Sequence, residues 1–377
     1  MRKELIKNKS SFDWVLIIAL LFLCFLGCVF IYSASSFIAE KDYGDKFFFV
    51  KKQLVGYGIG IVAFVSASLF DYRKLKKLSL PVFIASLILL ALVLTPLGKE
   101  AYGAKRWIGV GGFTIQPSEI TKLAFVIFAS AYFSEDLSRI KTFKGLIPIL
   151  LAGGITCLLI IAEPNMSVTV CVGVIMMAML FIGGAKIKHL ALICLPILFM
   201  LPMLIILEPY RLKRLMAFID PWASPKGEGY QLIQSLYALG SGGLFGVGLF
   251  HSTQKLRFLP FAESDFILSI IGEETGFVGI VFLLGICALI ALRIIATAKA
   301  SKDFFGYFLS TGVACIFIIQ IAVNILVVTG SIPPTGLPFP LISSGNTQII
   351  TFLGAFGIIN NVYRNNKYNL TKKTLLA

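Results

Sequence analysis

The sequence predicts an all-α fold: a polytopic membrane protein of ten transmembrane helices, with a large extracytoplasmic loop between helices seven and eight. Three observations carry that expectation. Hydrophobic residues make up 57% of the 377 residues and charged ones 14%, against about 25% charged in a soluble domain. Apolar runs close to the ~20 residues needed to span a bilayer recur from end to end. Basic residues collect in alternate short connections. Inside lipid every backbone N–H and C=O must be paired within its own segment, so the runs read as helices.

The ten spans are expected at 14–34, 54–70, 79–97, 118–134, 145–162, 166–184, 188–208, 266–292, 305–329 and 345–362. The length suits one bundle, so residues 1–377 form a single domain. The first span follows Arg2, Lys3, Lys7 and Lys9. It is too long for a signal-peptide core and reads as a retained anchor. Arg73, Lys74, Lys76 and Lys77 fall between spans two and three; Arg139, Lys141 and Lys144 between four and five; Lys186 and Lys188 between six and seven; Arg293, Lys299 and Lys302 between eight and nine. Arg364, Lys367, Lys372 and Lys373 follow span ten. These segments alternate onto one side, which the positive-inside rule makes cytoplasmic. Both termini, 1–13 and 363–377, are then cytoplasmic, and 35–53, 98–117, 209–264 and 330–344 face outward.

The net charge of +15 follows from this topology and from anionic lipid. It does not argue for nucleic acid, because no basic, aromatic-laced soluble module exists. All seven cysteines (Cys24, Cys28, Cys157, Cys171, Cys194, Cys287, Cys315) sit in apolar runs without a CxxC, as small packing residues do. His189 and His251 fall on opposite sides of the membrane, so a histidine metal site is not expected.

The loop 209–264 is long enough to be functional. Within it GYQLIQSLYALG places Leu232, Ile233, Leu236 and Tyr237 on one helical face, which suits a short helix on or dipping into the membrane surface. Its cations Arg211, Lys213, Arg214, Lys226, Lys255 and Arg257 outnumber Asp220, Glu228 and Glu263. Basic residues on an outer face suit an anionic ligand such as phosphate, or lipid headgroups. The run GSGGLFGVG from Gly240 to Gly248 mimics a dinucleotide fingerprint, but no strand precedes it. Its glycines read as tight turns and close backbone approach. The outward loop SIPPTGLPFPLISSGN, with Pro333, Pro334, Pro338 and Pro340, cannot be helix and reads as a cavity-lining segment.

Acids stand out against this background. LPFAESDFILSIIGEETGFVG opens with Glu263 and Asp265 at the mouth of span eight and carries Glu273 and Glu274 inside it. A carboxylate in hydrocarbon costs several kcal/mol and either faces a polar cavity or pairs with a lysine; both readings are open for Glu273 and Glu274. Asp265 lies at an interface that water and substrate can reach. Glu119 and Lys122, three apart in QPSEITKLA, share a helix face and can pair, with Pro117 at the helix start. Asn324 and Gln348 suit interhelical hydrogen bonds.

The segments KRWIGVGGFTIQPSEITKLA, AEPNMSV, YRLKRLMAFIDPWASPKGEGYQLIQSLYALGSGGLFGVGL, STQKLRFLP, SDFILSIIGEETGFVG and PPTGLPFPLIS, in this order, resemble the SEDS family of shape, elongation, division and sporulation proteins (RodA, FtsW, SpoVE) across nearly the whole chain. The large-loop segment looks more like the division and sporulation branch. The resemblance implies a peptidoglycan glycosyltransferase that polymerises lipid II, an undecaprenyl-pyrophosphate-linked disaccharide pentapeptide, on the outer face of the cytoplasmic membrane. It implies partnership with a class B penicillin-binding protein and with other divisome or elongasome membrane proteins. It makes Asp265, in SDFIL, the catalytic residue.

On that reading Asp265 is a general base on a sugar 4-hydroxyl. Arg106, Lys122, Lys255, Arg211 and Arg214 are candidates to neutralise the leaving diphosphate. Glu119 orients Lys122, and Gln254 and Ser343 complete the expected substrate contacts. Glu273 and Glu274, the former about 12 Å below Asp265 by helix rise, support the cavity with Pro334 and Gly336. No protein metal cage is expected; the cofactor expectation is at most a divalent cation, Mg or Mn, on the substrate diphosphate. The chain departs from the family at Asn165, where aspartate is usual after Glu163 and Pro164. It departs also at Ser344 and Asn346, in place of the usual SYGGS pattern, and at Phe261 and Ser264. Two other functions compete: a lipid II flippase, against which no inverted repeat is apparent, and a non-catalytic scaffold for the transpeptidase, in which Asp265 is dispensable.

Overall fold

A computed structural model describes residues 12–101, 104–110, 113–207 and 209–376. The basic N-terminal segment expected in the cytoplasm lies outside these residues, apart from its last two positions.

Polar caps start the helices where the sequence changes from polar to apolar. Asp13 accepts from Leu16 N to open α1 (Trp14–Tyr43), which stops at Gly44 in the left-handed region. Next come α2 (Phe48–Leu69) and α3 (Tyr72–Val93), the latter capped by Asp71. Pro117 occupies the first turn of α4 (Pro117–Glu135), where its missing N–H costs nothing. After the single turn α5 (Ser138–Lys141), Thr142 caps α6 (Phe143–Ala162) and Asn165 caps α7 (Met166–Ile182). The chain continues as α8 (Ile187–Ile206), α9 (Pro209–Ile219), a 3₁₀ turn at Pro221–Ala223, and α10 (Tyr230–Gly242). It closes with α11 (Ile267–Lys299), α12 (Phe304–Val328) behind an Asp303 cap, and α13 (Asn346–Leu376).

A helix thus runs through each of the ten predicted apolar stretches. Among the described residues six helices, α1, α2, α3, α6, α11 and α12, are long and apolar enough by length and composition to cross a membrane. The centre of the bundle is α4 and α12, with Phe125, Phe133 and Phe317 fully buried, and α13 lies along α2. Large apolar side chains also cover the outside: Ile18, Phe25, Leu158, Phe181 and Phe199 are all more than 60% exposed. An apolar surface of that extent needs a non-aqueous surrounding, and the protein is a multi-pass membrane protein.

Four features differ from the sequence expectation. The fold is not purely helical: outward segment 98–117 holds a three-stranded antiparallel sheet, β1 (Gly98–Ala101), β2 (Ala104–Val110) and β3 (Phe113–Ile115). Here a hairpin register outcompeted the loop reading. Several helices outrun their apolar cores: α1 extends to Tyr43, so most of the expected 35–53 loop is helix, and α3 begins at Tyr72, so Arg73 to Lys77 lie on a helix. On α10, Leu232 and Ile233 are buried but Leu236 and Tyr237 are exposed; the inward face is completed by Ser235 and Ala238.

The fourth difference is in α11, which is broken at Gly276 (φ 67°, ψ −169°). The glycine-rich run 242–248 plugs the break. Val247 N and Gly248 N donate to the carbonyls of Glu273 and Glu274, while Phe277 N and Val278 N donate to Gly243 O and Leu244 O. Backbone groups freed by the break are thereby re-paired, as an apolar surrounding requires. The close backbone approach expected of these glycines is present: a Cβ on Gly276 would lie 2.4 Å from Gly246 N.

Candidate active site

The outer end of the bundle holds a cavity of about 1530 Å³. Its walls come from the sheet, the start of α4, the α6–α7 turn, α9, the segment before α11, the proline loop and the start of α13. The proline loop forms no helix between Gly330 and Ser344 and lines the cavity from Ile332 to Pro338, as its composition predicts.

Amide side chains hold that loop. Gln320 and Gln348 both donate to Pro338 O, at 3.1 and 3.0 Å. Asn324 donates to Leu337 O and to Asp265 O, each at 2.9 Å. Gln53 donates to Ile342 O and Ser343 O, and Tyr57 to Leu341 O. Three successive carbonyls before α11 are therefore tied down. Glu263 O accepts from Ser344 N at 2.9 Å, Ser264 O from Ser343 Oγ at 2.6 Å, and Asp265 O from Asn324. These three hydrogen bonds fix where the Asp265 side chain starts.

Asp265 lines the cavity. Its Oδ1 accepts from Ser264 Oγ at 2.9 Å. Gly336 sits against it: a Cβ there would lie 3.2 Å from Asp265 Oδ2, and its φ of +72° is itself one that side chains rarely adopt. Burial pushes the Asp265 carboxyl up from its ordinary value, while Ser264, Arg214 and Arg106 pull it back. Glu263 lines the same cavity; burial pushes its carboxyl up, a backbone hydrogen bond acts against that, and the neighbouring Asp265 adds to it. Arg106 and Arg214 both line the cavity, and Arg106 Nη2 donates to Pro164 O.

The predicted site residues divide. Asp265, Arg106, Arg214, Glu119, Pro334 and Gly336 meet at the cavity wall. Lys122 does not: its ammonium lies behind Glu119 at 2.8 Å, donates to Gln320 Oε1 at 3.0 Å, and is 1% exposed. Glu119 and Lys122 therefore link the cavity wall through Gln320 to the proline loop. Lys255 is also withdrawn. It is buried against Glu274 at 2.9 Å and Ser33 at 3.1 Å, since a buried carboxylate holds the nearest cation tightly.

Gln254 and Ser343 are likewise off the cavity wall: Gln254 N donates to Glu273, and Ser343 is wholly buried in the ties just described. The side chain of Arg211 lies outside the described residues. Glu273 accepts from Ser252 Oγ, Thr253 N, Thr253 Oγ1 and Gln254 N. Glu274 accepts from Lys255, Ser33 and Ser252 N. The two acids staple the outward loop to α11 and α1; of the two open readings, the lysine pair is the one found for Glu274.

Sequence reasoning left out Glu163, at the α6–α7 turn. It is 0% exposed, and among the described residues neither carboxylate oxygen has a hydrogen-bond partner. Burial pushes its carboxyl up to about 8, with Arg106 acting against that. Only the Glu-Pro-Asn triplet marked it in sequence. Asn165, the departure from the usual acid, serves as the cap of α7. Among the described residues no three His, Cys, Asp or Glu side chains cluster as metal ligands.

The family model described as a cell cycle protein, FtsW/RodA/SpoVE, matches residues 13–368. The chain belongs to that family. Within it, stage V sporulation protein E of Bacillus subtilis (strain 168) is 39% identical over 364 residues, 96% of this chain and 99% of that protein. A probable peptidoglycan glycosyltransferase FtsW of Geobacter sp. (strain M18) is 38% identical over 350 residues, 92% of this chain and 95% of its own length. Solved family structures agree. One chain, from a study of how a peptidoglycan synthase complex coordinates polymerization and crosslinking, matches with a TM-score of 0.79 at 28% identity, covering 94% of this chain and 98% of that one. The rod shape determining protein RodA of Thermus thermophilus matches with a TM-score of 0.70 at 28% identity and the same coverage.

Proposed function

We propose that this protein is a peptidoglycan glycosyltransferase that polymerises lipid II at its outer-face cavity, with Asp265 as general base. The observation that carries the reading is the placement of Asp265. It is a carboxylate fixed through its own backbone at the wall of a large cavity, within the electrostatic reach of Arg106 and Arg214. The names of the family relatives point to the same reaction class.

The sugar 4-hydroxyl of the acceptor is a poor nucleophile at neutral pH. Asp265 takes its proton as the oxygen attacks the anomeric carbon of the donor, contributing about 10²–10⁴-fold. Undecaprenyl diphosphate leaves as an anion, and Arg106 and Arg214 stabilise the charge as it develops. An α-linked donor and a β-linked product require one inverting displacement, with no covalent sugar–enzyme intermediate. The apolar side of the cavity (Ile161, Val170, Val174, Leu215, Ile319 and Val323) suits a polyprenyl tail. Cavity carboxylates stand singly or as the Glu263–Asp265 pair, so a Mg or Mn ion would be held chiefly by the substrate diphosphate.

The ten long helices each cross the membrane in this proposal, with both termini cytoplasmic and the cavity outward. The basic short connections support that orientation. A class B penicillin-binding protein supplies crosslinking, in division or sporulation wall synthesis. The test is direct: purified protein with its transpeptidase partner is given labelled lipid II in detergent, and glycan chains are resolved by size. Polymer from wild type, lost in Asp265→Ala and Asp265→Asn, is expected. Equal polymer from these variants defeats the base assignment, and leaflet crossing of lipid II without polymer favours a flippase.

A further inference from the structure

We propose that Glu263 is a second working carboxyl group of this cavity, one that hydrogen-bonds the acceptor sugar and sets its orientation toward Asp265. The inference rests on the glycosyltransferase reading above. It begins from the backbone. Glu263 and Asp265 are two residues apart in the hydrogen-bonded turn that precedes α11, where Ser264 N and Phe266 N both donate to Phe261 O. The carbonyls of 263, 264 and 265 are each held by a different hydrogen bond, from Ser344 N, Ser343 Oγ and Asn324 Nδ2. A segment fixed at three consecutive peptides presents its side chains at fixed points, and both carboxyl groups line the same cavity. Asp265 and Glu263 therefore reach a sugar bound there from neighbouring anchor points.

The two groups are not equivalent. Burial raises both carboxyl groups. At Asp265 the Ser264 hydroxyl on Oδ1 and the fields of Arg214 and Arg106 act against it, whereas at Glu263 a backbone hydrogen bond opposes it and the charge of Asp265 adds to it. When two carboxyl groups share a site and their surroundings differ, the proton settles on the less favoured anion. Glu263 is then the protonated partner. It donates one hydrogen bond to a hydroxyl of the acceptor ring beside the attacking one, and no proton transfer is asked of it.

Its neutrality also matters for the donor. The charged groups sharing the cavity are Lys52, Lys99, Glu100, Arg106, Glu119, Arg214 and Asp265, and Glu119 is already paired with Lys122. Ionising Glu263 would add an anion beside Asp265 where a diphosphate must dock, and would remove the hydrogen-bond donor. Polymerisation is therefore expected to fall on the alkaline side as the pair loses its second proton.

The test compares pH–rate profiles of polymerisation for wild type, Glu263→Gln and Glu263→Ala with labelled lipid II. Glu263→Ala is expected to lower kcat/KM about tenfold, the size of one lost hydrogen bond, mainly through KM. Glu263→Gln keeps a neutral donor, so it should recover most of that loss and lack the wild-type alkaline fall. The inference is overturned if Glu263→Ala matches wild type, or if Glu263→Gln is no better than Ala and its alkaline fall is unchanged. A wild type that makes no polymer at any pH would instead defeat the parent reading, so the two failures are distinguishable.

Discussion

At the scale of single residues, buried acids in this protein take three roles according to what surrounds them. Glu274, with Lys255 and two serine contacts, is a structural ion pair. Asp265, with a hydroxyl on Oδ1 and the fields of two arginines, lines the open cavity. Glu163, enclosed and without a hydrogen-bond partner among the described residues, holds its proton.

Glu163 has a measurable consequence. Its carboxyl titrates near 4.5 ordinarily and at about 8 in the fold. Between those values the folded state binds more protons than the unfolded chain. The stabilising contribution is fully present below pH 4.5 and is lost as pH rises through 8. The thermal unfolding midpoint in detergent should therefore fall between pH 6 and pH 9, and Glu163→Gln, which cannot ionise, should flatten that fall. An unchanged slope in Glu163→Gln would refute the assignment.

At the scale of elements, the break in α11 does what an unbroken helix could not. It presents the carbonyls of Glu273 and Glu274 to the 243–248 run, and their side chains to the 252–255 segment. One helical turn thus anchors the large outward loop. Gly276→Ala combines a left-handed φ with a Cβ 2.4 Å from Gly246 N, and should destabilise the protein by about 3 kcal/mol. Gly285, in the same helix, has open space around its Cβ position, so Gly285→Ala should cause no loss in the same unfolding assay. Equal effects would show that the break is not specified by Gly276.

Glycine enrichment at 240–248 signalled close approach, but its partner could not be read from sequence. The pairing joins segments about thirty residues apart and is decided by tertiary fit. The sheet at 98–115 was hidden for another reason. Its strands are short, and glycines interrupt the alternation that would mark them. Proline content alone, by contrast, was enough to forecast the non-helical cavity wall at 330–344, because no helix survives that density of missing N–H groups.

At the scale of the whole molecule, hydropathy marked ten apolar stretches, a helix runs through each, and six of these helices are long and apolar enough to cross a membrane among the described residues; charge suggested an orientation. The orientation has its own test. In a background with the seven native cysteines replaced, single cysteines at Asp45 and Lys226 should react with a membrane-impermeant maleimide in intact cells. A cysteine at Lys302 should react only after permeabilisation. Reaction of Lys302→Cys in intact cells would invert the topology and put the cavity on the wrong side for an extracellular polymer.

The assembly of the site was less legible than the bundle. Asp265, Arg106 and Arg214 line one cavity. Lys122 and Lys255, expected at the diphosphate, lie buried against Glu119 and Glu274, because sequence gives spacing along one helix but not which carboxylate lies behind it. Glu163 is buried by the tertiary fold, which no local pattern announces, and Asn324 was legible as a residue for interhelical hydrogen bonds but not its partners, the carbonyls of Asp265 and Leu337.

The most direct measurement separates binding from turnover at Asp265. Labelled lipid II would be titrated against wild type and Asp265→Asn, and single-turnover extension followed on the same preparations. A general base predicts binding within a few-fold of wild type and extension slowed by about 10²-fold or more. Extension at the wild-type rate, or a loss confined to binding, would contradict it.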